Sequence, residues 1–450
     1  MTPCFIGIDI GTQGARVVLV NDAGELLASA SEAFPLTVRS REEQSPYHWW
    51  EATLRALRSV HRPDVSPFVK AISVSSTSGT VIPVDAMHRP LHHALMYSDR
   101  RAAAHPLFHT FGGLARMTWW VDRYPDKAIH VHRWLHAADY ITGELSDTWG
   151  VTDYTNAYKS GYDLNDLRWR EPLPGLPAVL PTGSVIGTLR PELAAGLGLP
   201  DGVAITNGIT DGCASQIASG AIRPGQWNTT IGTTMVIKGV TTKEISNGVL
   251  YSHRHPDGYW MPGGASNTGA DWVTGEFGYA LDAFNQSAME LMPTGLAAWP
   301  LRVEGERFPF LAPEARGFEA PTDDRAVRYT ANMEGVAYLE RYAYEMIGRL
   351  CGEPVKAVFT AGGASNSEAW LTIRCNVLNK PIHKTKEASA AMGAAILAAT
   401  PHHGSLTEAV TRMVTVDKTL MPRRHLVAAY EHGYWEFIHI LRHKGYIKDV

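Results

Sequence analysis

The sequence predicts an α/β protein of two domains, and three observations carry that prediction. A chain of 450 residues is longer than one hydrophobic core fills, so two domains of ordinary size are expected. Strand-like and helix-like segments alternate through its first third. A short motif also recurs: Ile10-Gly11-Thr12-Gln13 is echoed by Ile231-Gly232-Thr233-Thr234, where a second domain of ordinary length should begin. Two related α/β halves, each opening on a similar turn, follow from that echo.

Composition narrows the classes. Apolar residues make up 45% and charged residues 19% of the chain, with a formal net charge of -4, as in globular proteins. The chain has no Lys/Arg block, which argues against nucleic acid as a partner. The longest small or apolar run, "AAMGAAILAAT", is far short of a membrane span, and no basic segment followed by an apolar one opens the chain. A cytoplasmic protein without membrane contact is the expectation. Cys4, Cys213, Cys351 and Cys375 are widely spaced and read as reduced thiols.

Taken in order, "FIGIDIGTQGARVVLVND" is an apolar run holding one acid, then a Gly-rich turn, then the β-branched run from Ala15 to Val20, closed by Asn21-Asp22-Ala23-Gly24. That is strand, turn, strand. A dinucleotide fingerprint or a P-loop would need its glycines to open a helix, and neither motif occurs. "ATLRALRSVHR" has helical spacing, "VKAISVSSTSGTVIPVD" reads as strand, polar turn and strand, and "DKAIHVHRWLHAADYIT" is expected to be a helix. Residues 171–205, rich in Pro and Gly, read as a loop-dominated connector too apolar for disorder. "GVAYLERYAYEMIGRL" places Val336, Leu339, Ala343, Met346, Ile347 and Leu350 on one helical face. "VKAVFTAGGASNSEAWLTIRCNVLN" is strand, Gly-Gly turn and helix, and "KEASAAMGAAILAAT" is a helix of small residues that allows close packing on a sheet or a flat ligand.

Several residues could carry chemistry. Asp9 sits at the mouth of a hairpin whose Gly11 and Gly14 permit an anionic group to approach the backbone. The acid could hold a divalent cation that meets phosphate oxygens, or it could be a solvated residue of an ordinary tight hairpin. Asp211, between the strand-like "GVAI" and a helix-like run, is placed for a general base or for an N-cap. Ser78, Gly79 and Thr80 form a polar turn, with Asp99 and two arginines shortly beyond, suited to a polyhydroxylated ligand or merely solvated. His132 and His136 form an i, i+4 pair beside His130, without an evident third metal ligand. Trp49-Trp50 and Trp119-Trp120 read as core or cleft wall.

In this set the chain resembles the FGGY family of carbohydrate kinases, within the actin, Hsp70 and hexokinase superfamily. "GIDIGTQGARVVLVND" and "TIGTT" are similar to its two phosphate motifs, "EEQSPYHWW" to the segment after the first, and "ISVSSTSGTVIPVDAMHRPLHHALMYSDRRA" to its sugar-side strand and loop. "DYITGELSDTWGVTDYTNA" is similar to the next segment and "GITDGCASQIASGA" to the catalytic-Asp segment. "FTAGGASNSEAWLTIRCNVLNKPI" with "EASAAMGAAILAA" is similar to the adenosine motif. The likeness covers almost the whole chain in the expected order.

The resemblance implies two actin-like, ribonuclease H-like domains with an interdomain cleft: residues 1–225 on the sugar side, 226–400 on the nucleotide side, and 401–450 a C-terminal helical segment able to pack back on the first domain. It implies ATP and Mg²⁺, with Asp211 as the base that accepts the sugar hydroxyl proton and Asp9 supporting the metal. Gly11, Thr12, Gln13, Gly232, Thr233 and Thr234 would meet the phosphates, Gly362, Gly363, Ala364 and Asn366 the nucleotide, and Thr77, Ser78, Gly79, Asp99 and Asp211 the sugar. Partners would be a small sugar and ATP, and a homodimer is compatible. Three departures fall on the sugar side, one of them a segment from Arg101 to Trp119 that is shorter than in the larger members. Ser76-Thr77-Ser78-Gly79-Thr80 stands where xylulose kinases show Gly-Gln-Met-His-Gly and is similar to the turn of ribulose-kinase-like members, while Tyr97-Ser98-Asp99 replaces Trp-Asn-Asp. The expected reaction is phosphorylation of a terminal hydroxyl of a ketopentose, D-ribulose ahead of D-xylulose. A polyol kinase for glycerol or a tetritol, and a non-catalytic nucleotide or sugar sensor, are the alternatives.

Overall fold

The alternation of Phe5, Ile6, Ile8 and Ile10 around Gly7 gives a strand, Cys4–Ile10, buried along its whole length, as expected for the middle of a sheet covered on both faces. Gly14–Asn21 folds back on it antiparallel, Asp9 opposite Arg16 and Ile10 opposite Ala15, and Leu26–Ala33 continues the meander. Val69–Ser76 lies on the other side of Cys4–Ile10, parallel to it. Beyond Val69–Ser76 the sheet continues with Ala204–Thr206 and then Val185–Thr188, while Ile209–Thr210 pairs with the far end of Val69–Ser76.

The structure, a computed structural model, describes residues 2–448. They divide into two units: the first runs to Ala218 and adds His253–Gly258 and Glu387–Val414, and the second comprises Ser219–Ser252, Tyr259–Lys386 and the chain from Thr415. The second sheet repeats the plan of the first. Gln226–Ile231 and Met235–Gly239 form the antiparallel hairpin, Trp260–Ala265 extends it, and Ala357–Ala361 lies parallel to Gln226–Ile231 on the other side, followed by Ile382–Thr385 and Val416–Leu420. The repeated four-residue motif therefore marks a repeated topology.

Two glycines set the depth of the first unit. The Ala390–His403 helix lies against Cys4–Ile10 so closely that a Cβ on Gly7 would sit 1.9 Å from the Ala391 carbonyl oxygen. A Cβ on Gly393 of the same helix would sit 1.9 Å from the Ala214 carbonyl oxygen in the Asp211–Ser219 helix. The small-residue helix thus packs on a sheet, the first of the two uses expected of it.

Two segments differ from expectation. The helix expected over "DKAIHVHRWLHAADYIT" is interrupted: Arg133–His136 is a strand, paired with Val81–Val84, and the helix proper is Ala137–Ser146, opened by a reciprocal cap between His136 and Asp139. The connector 171–205 is also more ordered than expected, with strands Ala178–Leu180 and Val185–Thr188 and the Pro191–Leu197 helix.

The second unit's core forms around the Arg325–Cys351 helix, where Phe284 stacks on Tyr329 and Trp272 and Phe277 meet it edge-on. Of the six residues expected on one face of this helix, Val336, Leu339, Ala343 and Ile347 are buried, Met346 is half-buried and Leu350 is exposed. Glu334 is buried in the same core and accepts bonds from the Thr294 backbone N–H, at 2.9 Å, and from the Thr294 hydroxyl. Burial pushes its carboxyl up to about 7 from 4.5. The folded chain then holds a proton that the unfolded chain has released, so this contribution to stability is full below about pH 4.5 and is lost as pH rises through about 7. Its size is about 3 kcal/mol at 1.36 kcal/mol per unit. Glu334→Gln keeps the shape without the titration, and its melting temperature should rise relative to the parent as pH increases across that window; parallel pH profiles would remove Glu334 from the account.

Candidate active site

The first unit brings two acids to one edge of its sheet. Asp9 pairs in register with Ser75, and Ser75 pairs on its other side with Ile209, two residues before Asp211. Asp9 and Asp211 therefore leave the carboxyl ends of strands two spacings apart, roughly 10 Å, where open α/β sheets bind ligands. Both line a pocket of about 900 Å³ whose floor is the Gly11–Gln13 turn and whose walls include Tyr97, Ser98, Ser215 and Ser389. Arg16 and Arg41 also face it.

Asp9 is nearly fully buried. Its carboxylate accepts from the Ser75 hydroxyl at 2.9 Å and from Arg16 at 3.1 Å. Burial raises its pKa in spite of both partners, because the Arg16 side chain is itself 52% exposed and its charge is screened by solvent. A buried carboxylate held up in this way has a standing demand for more positive charge, and an oxygen-rich pocket meets the donor preference of Mg²⁺. Asp211 begins the Asp211–Ser219 helix, its carboxylate accepting from the Gly212 backbone N–H at 2.6 Å.

The turn between Asp9 and Gly14 is supported from below. Trp49, fully buried, donates its indole N–H to Gln44 at 2.8 Å, and the Gln44 amide donates to the Thr12 carbonyl at 2.9 Å. Trp49 is thus a core residue with a direct line to the turn. Thr77, Ser78, Gly79 and Asp99, expected at the sugar, do not line this pocket. The Thr77 and Thr80 hydroxyls are 3.0 Å apart, and Thr80 also accepts from the Tyr97 backbone N–H. Gly79 has φ 76°, the left-handed conformation that favours glycine. Asp99 is fully buried, gripped in a fork by the Arg101 guanidinium at 3.0 and 2.7 Å, and Arg101 reaches on to Glu43. Buried Arg116 donates to the carbonyls of Gly79, Tyr97 and Asp99. These residues lock the loop that presents Tyr97 and Ser98.

The histidine reading does not survive. His136 is fully buried, with Nδ1 at 2.8 Å from Asp139 and Nε2 at 2.8 Å from Ser160. With a strand at Arg133–His136, His132 and His136 share no helical face. Sequence reasoning missed Arg16, Arg41, Ser215 and Ser389 on the pocket. Ser215 lies inside the small-residue Asp211–Ser219 helix and Ser389 caps the alanine-rich Ala390–His403 helix, a signal that was available; Arg41 sits in a polar stretch without periodicity.

In the second unit the Gly232–Thr234 turn closes the repeated hairpin, with the Gly232 backbone N–H donating to the Thr234 carbonyl at 3.0 Å; in the first hairpin Gly11 donates to the Gly14 carbonyl at 3.1 Å. Gly362, at φ 86°, brings the Gly-Gly turn against this hairpin: a Cβ there would meet the Ile231 carbonyl oxygen at 2.5 Å. Ala364 and Asn366 follow on a single turn of 3₁₀ helix, Gly363–Asn366, and Lys384 donates to the Asn366 side chain at 3.1 Å. Buried Arg374, paired with Glu340, donates to Thr360 at 2.7 Å and so steadies the strand that delivers the turn. Gly232, Thr233, Thr234, Gly362 and Gly363 thus form one patch of accessible backbone.

The model of the N-terminal domain of the FGGY family of carbohydrate kinases matches residues 4–106 and 104–218, and that of the C-terminal domain matches 227–401. The chain is 25% identical to a gluconokinase of Bacillus licheniformis, over 88% of this chain and 87% of that one, and 25% identical to a xylulose kinase of Staphylococcus epidermidis, over 95% and 94%. Its fold superposes on a crystal structure of a xylulose kinase from Brucella ovis with a TM-score of 0.87 at 23% identity, covering 98% of this chain and 99% of that one. A gluconate kinase from Lactobacillus acidophilus gives 0.85 at 21%, covering 98% of each chain. Two sheets of the same plan, each carrying a Gly-Thr hairpin, are the actin-like two-domain fold of sugar kinases, and the chain belongs to the FGGY family of carbohydrate kinases, phosphotransferases that use ATP as donor.

Proposed function

We propose that this kinase transfers the γ-phosphoryl group of ATP to a terminal hydroxyl of a ketopentose, D-ribulose ahead of D-xylulose. The observation that carries the reading is the pairing of Asp9 and Asp211 at one sheet edge, in a pocket whose lining also includes the hydroxyl-bearing Thr12, Tyr97, Ser98, Ser215 and Ser389. Asp211 accepts the proton of the attacking sugar hydroxyl. Tyr97, Ser98 and Ser215 orient the sugar, while Thr77, Ser78, Gly79 and Asp99 fix the loop that presents the first two. Thr12, Gln13 and the backbone of Gly11 take phosphate oxygens in the first unit, Gly232, Thr233 and Thr234 do so in the second, and Gly362, Gly363, Ala364 and Asn366 hold the nucleotide. Mg²⁺, when bound through Asp9, would neutralise charge on the phosphates. Little covalent work falls to the protein in phosphoryl transfer, so rigid turns and a positioned base are what the chain must supply.

A second reading, a sugar-acid kinase, is favoured by Arg41 on the same pocket, whose carbonyl accepts from the Ser98 hydroxyl at 2.5 Å. An arginine there suits a carboxylate, and gluconokinases stand among the relatives. ADP release with Mg-ATP across D- and L-ribulose, D- and L-xylulose, D-gluconate and glycerol, against a control without sugar, decides between them. The highest rate on D-ribulose supports the first reading and on D-gluconate the second; a rate on neither class overturns both.

Asp9→Ala should move the Mg²⁺ titration of activity to about 10–100-fold higher concentration, the usual cost of losing a group that orients a metal's ligands. An unchanged titration removes Asp9 from the metal.

A further inference from the structure

The Ala390–His403 helix starts at the pocket, where Ser389 and Ala390 line it. It ends about 20 Å away at 1.5 Å per residue, beside the turn that joins Gly14–Asn21 to Leu26–Ala33. There Asp22 faces His402 and His403. We propose that these three side chains form a binding site for a zinc-type transition metal ion, which fastens the hairpin turn to the end of the helix.

Geometry is the first argument. Asp22 Oδ1 lies 3.3 Å from His403 Nε2 and 3.7 Å from His402 Nε2, and one ligand atom from each residue falls within 4.8 Å of the others. Bonds of 2.0–2.2 Å at the tetrahedral angle separate ligand atoms by roughly 3.3–3.6 Å. The second argument is an unmet need. Asp22 Oδ1 and His403 Nε2 are both buried and make no hydrogen bond, with their side chains only 7% and 10% exposed. Buried polar atoms are ordinarily satisfied, at a cost when they are not, and a single cation between them satisfies both.

The surroundings favour a cation that prefers nitrogen. The rings stand at the carboxyl end of a helix, where the backbone carbonyls favour positive charge. Phe5 walls the site at 5.7 Å from the His402 ring and 6.1 Å from the His403 ring. Arg412 donates to Asp22 Oδ2 at 2.6 Å. It leaves Oδ1 free and orients the carboxylate as an outer partner does, and at 58% exposure its charge is screened. Two imidazoles and one carboxylate suit Zn²⁺, Co²⁺ or Ni²⁺, whereas Mg²⁺ and Ca²⁺ take oxygen ligands.

The test is titration of the full chain, freed of metal by chelator, with Co²⁺ in excess Mg²⁺. One equivalent should bind with the visible absorption of four-coordinate Co²⁺, be displaced by Zn²⁺, and raise the melting temperature. The His402→Ala/His403→Ala variant should keep its kinase activity and lose affinity by at least about 10–100-fold, together with the thermal shift. Asp22→Asn, which preserves shape, should lose affinity likewise and serves if the double variant does not fold. Failure of the parent to bind one equivalent, or undiminished binding by both variants, overturns the proposal; the first outcome would leave a proton, rather than a metal, between the acid and the rings.

Discussion

Asp211→Asn should lower turnover by roughly 10²–10⁴-fold, the range that a positioned general base contributes, with little change in ATP affinity. Asparagine is nearly isosteric and its side-chain oxygen can still accept from the Gly212 backbone N–H, which Asp211 accepts at 2.6 Å. The start of the Asp211–Ser219 helix is therefore kept, and the loss isolates proton acceptance from architecture. Nucleotide affinity, which the proposed function rests on the backbone patch around Gly232 and Gly362, has no reason to follow. Because a loose phosphoryl-transfer transition state asks less of a base than acyl transfer does, a result at the lower end of the range is consistent with the role. A variant within a factor of a few of the parent rate, with saturating sugar and ATP, would show that Asp211 only caps its helix.

This contrast also marks what could be read from sequence. The hairpin around Gly11 and its echo around Gly232 were legible because turn chemistry and β-branched runs are local properties, and both hairpins formed where the residues called for them. The strand, Gly-Gly turn and helix at 357–378 were legible for the same reason. What failed was local pattern under tertiary control. Trp134 and Leu135 fit a helix as well as a strand, and pairing with Val81–Val84 decided for the strand; the missed signal was His136 with Asp139 three residues on, which caps the following helix. Asp99 has the residue type of a substrate ligand, but its carboxylate is spent on Arg101, a pairing that spacing alone does not reveal. Arg41 reached the pocket wall through loop geometry, which has no periodic trace.

Gly393→Ala should cost more than the roughly 3 kcal/mol at the upper end of ordinary overpacking, seen as a large fall in melting temperature or loss of soluble protein. Its added Cβ would lie 1.9 Å from the Ala214 carbonyl oxygen and 2.4 Å from the Ala214 carbonyl carbon. Those are backbone atoms within a helix, so no rotamer change relieves the overlap, and the two helices must separate. Gly7→Ala meets the Ala391 carbonyl oxygen at 1.9 Å and should behave alike. Gly196 supplies the control. It lies inside the Pro191–Leu197 helix, and a Cβ there would have no neighbour within 4 Å, so Gly196→Ala should stabilise by roughly 0.5–1 kcal/mol through backbone entropy alone. The two close approaches have a functional consequence. Gly7 is two residues from Asp9, Ala214 is three residues from Asp211, and the helix they share carries Ser389 at its start, so separating these elements would spread the pocket that the two acids line. A partly folded Gly393→Ala protein should then lose sugar affinity before it loses the nucleotide patch of the second unit. Full stability of this variant, beside a stabilised Gly196→Ala, would mean that the helices stand farther apart than this packing requires.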